Sequence, residues 1–371
     1  MNRTAAHLLT VLALGTSALA SVPTARADDL DARVEAHLAT MSLDQKLAQL
    51  TVHVNSEAFE IDLVRRGVAA NVMNFGYKDR EEEALHAAWR ESGNRIGMID
   101  GLDMEYGYRT LFPVPIAQAA TFDLTLNREA ARLTSAEASV SGVNWTFGPM
   151  VDVSRDQRWG RGVEGAGEDV LLASCLAGAR VRGARQGGQL VSIKHYVGHG
   201  FPEGGREYGP VEMGEPFLRD VVLPPFRTAI AAGAEMVMAG FNAVNGVPVV
   251  ASRRLLKDVL RGDLGFTGVV VSDWEAISQL MRHRLSDDPV EITAMALNAG
   301  VDFDMSSLFY QDHMPAALAR GTVKLADVDA AVRRVLKMKF AAGLDQGSRF
   351  DPARRDRAMA ELMPEARRLA V

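Results

Sequence analysis

The chain has 371 residues, of which 47% are hydrophobic, and its formal net charge at pH 7 is −6. This length suits one large α/β domain or two small ones, and its Lys and Arg residues are scattered rather than grouped in a basic stripe, which argues against a nucleic-acid surface. The single cysteine, Cys175, excludes an intramolecular disulfide and a zinc–thiolate cluster.

The first 27 residues have the features of a secretory signal peptide. Arg3 provides the basic start, residues 8–20 form the apolar segment, and the Ala-Arg-Ala of residues 25–27 is a small-x-small cleavage site. The apolar segment is too short to span a bilayer stably, and no later run reaches the roughly 18 apolar residues that a spanning helix needs. We therefore expect cleavage after Ala27 and a periplasmic or secreted protein without a membrane span; an uncleaved N-terminal anchor is the alternative.

Helix-like and strand-like segments alternate along the rest of the chain. Residues 30–49 are predicted to be helical, with Ser42 capping a second helix. Short apolar runs then end in polar or Gly-rich turns, and each is followed by an amphipathic stretch. The apolar runs are 68–75, 98–104, 144–153, 190–196, 235–241, 268–272 and 301–305. The helical stretches are 124–141, 168–185, 216–232, 254–264, 289–299 and 325–341.

This alternation predicts an α/β fold of the (β/α)₈, TIM-type barrel class. Seven or eight βα units over about 300 residues fit such a barrel better than a doubly wound sheet. No Gly-x-Gly-x-x-Gly follows an early strand, which argues against a dinucleotide-binding fold. The run at residues 268–272 is too apolar for a half-exposed strand and is predicted to be buried on both faces.

Polar side chains lie at or just after the end of almost every predicted strand. In a parallel barrel, the carboxyl ends of the strands surround one opening, and active sites lie there. Any one of these side chains alone is readily explained as a cap or a loop residue, but several of them on one face are not. They are Asp103, Asp152, Arg155, Lys194, His195, Asn242, Asp273 and Asp304.

Asp273 is the most informative of these side chains. It follows a buried strand directly and is followed by Trp274, an aromatic residue able to stack on a ligand. A carboxylate in this position is a candidate for chemistry. The alternative is that Asp273 caps a helix that starts near Glu275.

Six ordered motifs resemble those of glycoside hydrolase family 3, and especially of its bacterial periplasmic β-glucosidases. The resemblance runs from about residue 41 to residue 350. The motifs are MIDGLDMEYGYRTLFP (98–113), DQRWGRGVEGAGED (156–169), KHYVGHG (194–200), FNAVNGVP (241–248), VSDW (271–274) and GVDFDM (300–305).

The resemblance implies a retaining glycosidase that uses Asp273 as its nucleophile. Such an enzyme needs an ionised carboxylate about 5 Å from a second carboxyl that acts as acid and then as base. Trp274 would form a wall of the sugar pocket, and the carboxylate of Asp103 would accept hydrogen bonds from sugar hydroxyls. Lys194 and His195 would donate hydrogen bonds to hydroxyl oxygens. The implied substrate-binding residues are Asp103, Arg161, Lys194, His195, Trp274 and Phe241.

Three neighbouring residues have roles that the motifs leave open. His199 and His195 have the i, i+4 spacing of a zinc pair on a helix, but the surrounding glycines argue against a helix, and the family uses no catalytic metal or other cofactor. Glu203 and Glu207 are either charges that order their loop or candidates for the second carboxyl. Arg158 is interpreted as a structural ion-pair partner.

In two-domain relatives, the general acid/base is a glutamate on a C-terminal α/β sandwich domain. The chain ends at Val371, so we expect that domain to be absent, with residues 28–350 forming the barrel and residues 351–371 the truncated start of an interdomain linker. The single-domain branch of the family, which cleaves N-acetylglucosaminides, carries an Asp-Ser-His in the loop after its Lys-His, and no Asp-Ser-His occurs here. A missing proton donor typically lowers the rate by about 10²–10⁴-fold.

We therefore predict an exported β-glucosidase that acts on β-glucosides or short oligosaccharides through a covalent intermediate on Asp273. Its activity is expected to be impaired unless a separate C-terminal domain, or Glu203 or Glu207, supplies the acid/base. The surface that the absent domain would cover favours self-association. The alternatives are a β-N-acetylhexosaminidase and a non-catalytic sugar-binding barrel.

Overall fold

Short strands alternate with helices in the computed structural model, which describes residues 24–54, 58–347 and 350–371. The strands are β1 Thr51–Val54, β2 Asn71–Met73, β3 Ile99–Leu102, β4 Trp145–Thr146, β5 Leu190–Tyr196, β6 Met236–Ala239, β7 Ala243–Val244, β8 Val247–Pro248, β9 Val269–Ser272 and β10 Asp304–Met305. The pair β7–β8 is a separate antiparallel hairpin in the loop that follows β6.

The other eight strands of the described chain pair in parallel and form a nearly closed barrel. Their order is β10-β1-β2-β3-β4-β5-β6-β9. A bridge between Val271 and Phe303 joins the two ends of this order, and the N–H of Asp302 donates to Val270 O at 2.8 Å. The predicted (β/α)₈ barrel is confirmed, and the register brings the carboxyl ends of the strands to one opening.

Helices cover the outside of the barrel. They are α1 Thr24–Leu38, α2 Leu43–Leu50, α3 Ala58–Arg65, α4 Asp79–Glu91, α5 Pro115–Ala119, α6 Leu124–Val140, α7 Val170–Gln186, α8 Glu215–Phe217, α9 Leu223–Ala231, α10 Ala276–Arg282, α11 Pro289–Ala299, α12 Phe309–Ala319, α13 Leu325–Ala341 and α14 Pro352–Ala370. Two π-helices, Leu218–Val222 and Arg254–Asp263, complete the predicted stretches 216–232 and 254–264.

Local sequence signals explain where several helices begin. The hydroxyl of Ser42 accepts the N–H of Gln45, whose side chain accepts the N–H of Ser42, so α2 starts with a capping box. The carboxylates of Asp123, Asp169 and Asp288 cap α6, α7 and α11. Residues 30–49 thus belong to two helices, and the second begins directly after Ser42, as predicted.

The barrel core consists mainly of β-branched and aromatic side chains. Residues 269–271 of β9 are completely buried, as their apolar run predicts, and Trp145 packs against Phe147 with ring centroids 4.5 Å apart. Burying one such side chain contributes about 1.5–3 kcal/mol to stability.

The apolar runs of the sequence do not reveal β1 or the β7–β8 hairpin, because these strands are too short to show a period. Some strands are also shorter than their runs predict: the run 144–153 contains only the two strand residues of β4. In the described parts of the chain, no helix is long and apolar enough to cross a membrane.

The two ends of the chain bear on the predicted domain boundaries. Residues 1–23, most of the predicted signal peptide, lie outside the described residues. Residues 352–370, assigned to a linker, form α14, whose Ala366 is buried against Phe112 and Leu133. The domain boundaries themselves stay a prediction.

Asp302 holds the closure of the barrel together. One oxygen of its completely buried carboxylate accepts Arg261 Nη2 at 2.7 Å and the N–H of Val270 at 2.9 Å. The other oxygen accepts Nε and Nη2 of Arg334 at 2.9 and 2.7 Å. The Asp302 side chain therefore connects the π-helix Arg254–Asp263, β9 and α13 to the chain just before β10.

Replacing Asp302 with alanine should destabilise the protein strongly. The substitution leaves two partly buried guanidinium groups without their anion, and breaking a buried ion pair costs about 3–5 kcal/mol. The control is Asp31→Ala, which removes a pair with Lys337 in which both side chains are more than half exposed and which contributes little. Urea unfolding followed by circular dichroism measures both, and equal unfolding midpoints for the two variants would contradict this role of Asp302.

Candidate active site

Strand β9 delivers Asp273 to the opening of the barrel. The backbone N–H of Asp273 donates to Ala239 O of β6 at 3.0 Å, so the ladder fixes the main chain beneath the carboxylate. Carboxylate Oδ1 accepts the N–H of Trp274 at 2.7 Å, whereas Oδ2 is buried and accepts no hydrogen bond from the described residues. Helix α10 begins after Glu275, and no side-chain hydrogen bond caps it. The Asp273 carboxylate is therefore not a helix cap.

The surroundings of Asp273 act in opposite directions on its proton affinity. Burial raises the pKa of the Asp273 carboxyl to about 6, and the Trp274 N–H together with the positive side chains of His199, Arg161 and Lys194 limits the rise. The group is mostly ionised at neutral pH, yet among the described residues only Trp274 stabilises its charge by direct hydrogen bonding. Such a carboxylate can act as a nucleophile.

The end of β5 places Lys194 and His195 beside Asp273. The peptide bonds Lys194–His195 and Tyr196–Val197 are both cis. Lys194 Nζ donates to Asp103 Oδ2 at 2.7 Å and lies 3.8 Å from Glu105 Oε1. Burial opposes the ammonium charge, but Asp103 and Glu105 outweigh it and raise the pKa of Lys194 to about 12. A fixed cation and a half-exposed carboxylate thus stand together, which suits the binding of a diol.

His195 is held from behind by Asp152. Asp152 Oδ2 accepts the backbone N–H of His195 at 2.8 Å and lies 2.9 Å from ring Nδ1. The opposite ring nitrogen, Nε2, lies 3.7 Å from Asp273 Oδ2. Burial, with the positive side chains of His199, Arg161 and Lys194, lowers the pKa of His195 well below its usual value, so the ring is neutral.

A second group of charges surrounds Glu207. The guanidinium of Arg161 forms a two-point pair with Glu164 at 2.8 Å and lies 3.4 Å from Glu207 Oε1. Glu207 also accepts hydrogen bonds from Trp159 Nε1 and, at 2.8 Å, from His199 Nε2.

These contacts decide the ionisation of Glu207. Burial alone would raise the pKa of Glu207, but the contacts with His199, Trp159 and Arg161 outweigh it and lower the pKa to about 2. Glu203, the other candidate for the second carboxyl, is exposed. The structure thus brings Glu207, but not Glu203, into the hydrogen-bond network behind the opening.

Aromatic side chains form the apolar part of the opening. Trp274 is 38% exposed, and Phe241 packs edge-on against Tyr208 with centroids 4.5 Å apart. Tyr77 and Tyr106 are also exposed, and both experience the charges of Asp103 and Lys194. Partly exposed rings beside polar groups suit the stacking of a sugar.

Not every polar residue at a strand end serves this opening. The Asp304 carboxylate accepts the N–H groups of Ser307 and Tyr310 at 3.3 and 3.1 Å, so it orders the start of α12. Arg155 lies over the ring of Phe217. These two residues have local explanations.

Two further residues on the same face contact their neighbours. Asn242 Nδ2 donates to Val197 O at 3.1 Å. Arg158 pairs with Asp156 at 2.7 Å, as its structural interpretation predicted.

Three residues of the site were not identified from the sequence. Glu105 is buried next to Lys194, and its burial raises its pKa to about 7 while Lys194 lowers it. Glu164 and Tyr208 contact Arg161 and Phe241. Glu105 and Glu164 each lie inside one of the motifs. Glu164 follows Arg161 by three residues, and this spacing was the available signal for their ion pair. Within the described residues, no group of three or more His, Cys, Asp and Glu side chains is arranged to hold a metal ion.

Known proteins with similar sequences point to one family. Residues 42–338 match the family described as "Glycosyl hydrolase family 3 N terminal domain". The periplasmic beta-glucosidase of Salmonella typhimurium is 35% identical over 339 residues, a match that covers 88% of this chain and 44% of that protein. A beta-xylosidase of Formosa agariphila is 31% identical and covers 85% of this chain and 43% of that protein. The chain thus spans less than half the length of these two curated relatives.

Solved structures agree with the sequence comparison. The crystal structure of a beta-glucosidase from Listeria innocua is similar with a TM-score of 0.84 and 31% identity, over 91% of this chain and 50% of that chain. The Listeria innocua beta-glucosidase in complex with glucose gives a TM-score of 0.83 and 30% identity, over 91% of this chain and 51% of that chain.

Replacing Glu207 with glutamine should lower the pKa of His199. Burial disfavours the imidazolium, but the Glu207 carboxylate and the nearby Asp152 and Asp273 raise the pKa of His199 above its usual value, and the variant removes the strongest of these anions. An NMR titration of the histidine ring protons measures the change. Glu203→Gln, which neutralises the exposed carboxylate four residues earlier, is the control and should leave His199 unchanged. Identical His199 titrations in the two variants would contradict this interpretation.

Proposed function

The chain belongs to glycoside hydrolase family 3, and we propose that it hydrolyses terminal β-D-glucosidic bonds in β-glucosides and short oligosaccharides with retention of configuration. The observation that carries the proposal is the Asp273 carboxylate. It is buried and mostly ionised at the carboxyl end of β9, and its Oδ2 accepts no hydrogen bond from the described residues. Such an oxygen is available to attack an anomeric carbon.

In the proposed reaction, Asp273 Oδ2 attacks the anomeric carbon and displaces the leaving-group oxygen. The oxygen departs with a proton from an acid or, for a good leaving group, as a stable anion. Water then attacks the same carbon, loses its proton to a base and frees the Asp273 carboxylate. The two inversions give net retention.

The polar residues around Asp273 would bind the sugar hydroxyls. Asp103 accepts hydrogen bonds, and Lys194 and Arg161 carry positive charges that act on the Asp273 carboxylate. Trp274 and Phe241 would form the walls against the apolar face of the ring. Because charges and hydroxyl partners are already in place, little reorganisation is needed on binding.

Glu207 is poorly suited to protonate the leaving group. With a pKa of about 2 it is ionised at neutral pH, and Trp159, His199 and Arg161 hold it. Glu203 is exposed and is the alternative acid/base on this loop. We therefore expect the chain by itself to act best on substrates whose leaving groups depart without protonation.

We also propose that the protein is exported, on the basis of its predicted signal peptide and of the word "periplasmic" in the name of the Salmonella typhimurium relative.

The ionised state of Glu207 favours, as a second candidate function, a barrel that binds glucosides without turnover. Comparing glucosides with xylosides tests the sugar preference, since one relative is named a beta-xylosidase.

The first test is a 2-deoxy-2-fluoro-β-glucoside with a dinitrophenyl leaving group. The fluorine slows hydrolysis of the intermediate, and the leaving group needs little protonation, so a covalent adduct should accumulate on Asp273. Intact-mass and peptide analysis locate it. Asp273→Asn should abolish the adduct, whereas Asp263→Asn, which removes an exposed partner of Arg219, should not. An adduct that forms equally in both variants would refute Asp273 as the nucleophile.

The rate of adduct formation should depend on pH through Asp273. Its folded-state pKa is raised to about 6, so the carboxyl is protonated and inactive below that pH. The labelling rate should rise by about tenfold per pH unit below pH 6 and reach a plateau above it. Quench-flow labelling followed by mass spectrometry gives the profile. A plateau that already begins near pH 4 would show that burial does not control this carboxyl.

A further inference from the structure

The contact between Asp152 and His195 is a fixed, fully buried pair behind the opening. One carboxylate oxygen of Asp152 contacts the same residue twice: it accepts the main-chain N–H at 2.8 Å and lies 2.9 Å from ring Nδ1. Both side chains are only 2% exposed. Two bonds to one oxygen fix the position of the ring and its rotation together.

On the basis of the function proposed above, we propose that Asp152 is a positioning residue that holds His195 in its Nδ1-protonated tautomer. Ring Nε2 then carries a lone pair and serves as a hydrogen-bond acceptor for a sugar hydroxyl. This reverses the role expected from the sequence, which made His195 a donor to hydroxyl oxygens.

The shared oxygen determines the tautomer. The main-chain N–H of His195 is always a donor, so Asp152 Oδ2 is already acting as an acceptor where it meets the ring. An ionised Asp152 accepts from Nδ1–H as well, and this uses the one ring proton of a neutral histidine. Burial raises the pKa of Asp152 to about 6, while His199 and the His195 N–H limit the rise, so the carboxylate is ionised at neutral pH.

The spacing to the nucleophile agrees with this assignment. His195 Nε2 and Asp273 Oδ2 are 3.7 Å apart, longer than the 2.7–3.2 Å expected if Nε2–H donated to the carboxylate. Two acceptors that face the same space repel a further acceptor and attract donors. Sugar hydroxyls are donors, so the pair favours a hydroxyl close to the anomeric carbon that Asp273 would attack.

The pair also gives the site one acceptor that is not a carboxylate. Lys194 is a donor with no acceptor capacity, and Arg161 likewise only donates. A neutral imidazole with its Nε2 3.7 Å from Asp273 Oδ2 accepts from a hydroxyl without adding a second negative charge beside the nucleophile. Asp152 thereby acts on the substrate only through His195.

The tautomer can be read directly from the ring nitrogens of the whole chain. The protein contains eight histidines; ¹⁵N-histidine labelling and comparison with His195→Gln assign the His195 signals. At pH 7 we expect Nδ1 to show the shift of a protonated nitrogen and Nε2 that of an unprotonated one. A protonated Nε2 would overturn the proposal. This measurement uses the unsubstituted protein, so it does not depend on the folding of any variant.

Asp152→Ala tests whether Asp152 is the cause, because it removes the shared acceptor, whereas the amide oxygen of Asp152→Asn can keep both contacts. In Asp152→Ala the preference for a protonated Nδ1 should be lost and the His195 shifts should change, while Asp152→Asn should retain the shifts of the unsubstituted protein. The second-order rate constant for Asp273 labelling should fall by about tenfold in Asp152→Ala, the effect of losing one hydrogen bond to a sugar hydroxyl. Glu91→Gln, an exposed partner of Arg65, is the matched control and should change neither.

Unchanged shifts in Asp152→Ala, or changed shifts with an unchanged labelling rate, would each overturn the proposal. Failure of the glycosidase function is distinguishable from both. It would appear as the absence of any adduct in the unsubstituted protein, whereas the ring-nitrogen shifts of that same protein still report the tautomer.

Discussion

The closure of the barrel between β9 and β10 is the constraint on which the site depends. Asp302 binds Arg261 and Arg334 and also accepts the N–H of Val270, so it fixes the strand that ends at Asp273. The ladder from β6 holds the same strand from the other side. A shift of β9 by one residue would turn the Asp273 side chain away from the opening. The stability of the barrel and the placement of Asp273 therefore depend on the same contacts.

Burial then differentiates the carboxylates of the opening. Asp273 has one hydrogen-bond donor within the described chain, and its pKa is raised to about 6. Glu207 has three partners that donate or carry positive charge, and its pKa is lowered to about 2. Pairs of titratable groups whose surroundings push their pKa values apart commonly have different roles in a mechanism. Here the difference suits Asp273 to attack and Glu207 to hold His199 and Arg161 in place.

Histidine has two distinct uses within a few residues of β5. His195 is neutral, with its Nδ1 bound to Asp152, and His199, 4.5 Å away between ring centroids, is favoured in its charged form by Glu207. Burial raises the pKa of both Asp152 and Asp273, and the charge on His199 limits the rise in each. The ionisation of the groups that would contact a sugar therefore depends on the neighbouring charged groups that surround them.

The sequence alone determined the barrel, the family and the position of Asp273, because these follow from local patterns. Alternating runs and helices show the period of their elements, and the residue after a buried parallel strand must lie at the carboxyl end of the sheet. Strand lengths and β1 were less predictable, since runs of two to four residues show no period.

Only the tertiary structure decided how the candidate residues are partnered. Asp304 and Asp273 both follow apolar runs, yet Asp304 orders α12 and Asp273 faces the opening. Glu203 and Glu207 are equally plausible in the sequence, and only Glu207 meets His199. Hydrogen bonds between residues far apart in the chain depend on distances of a few ångströms, and linear spacing carries no record of them.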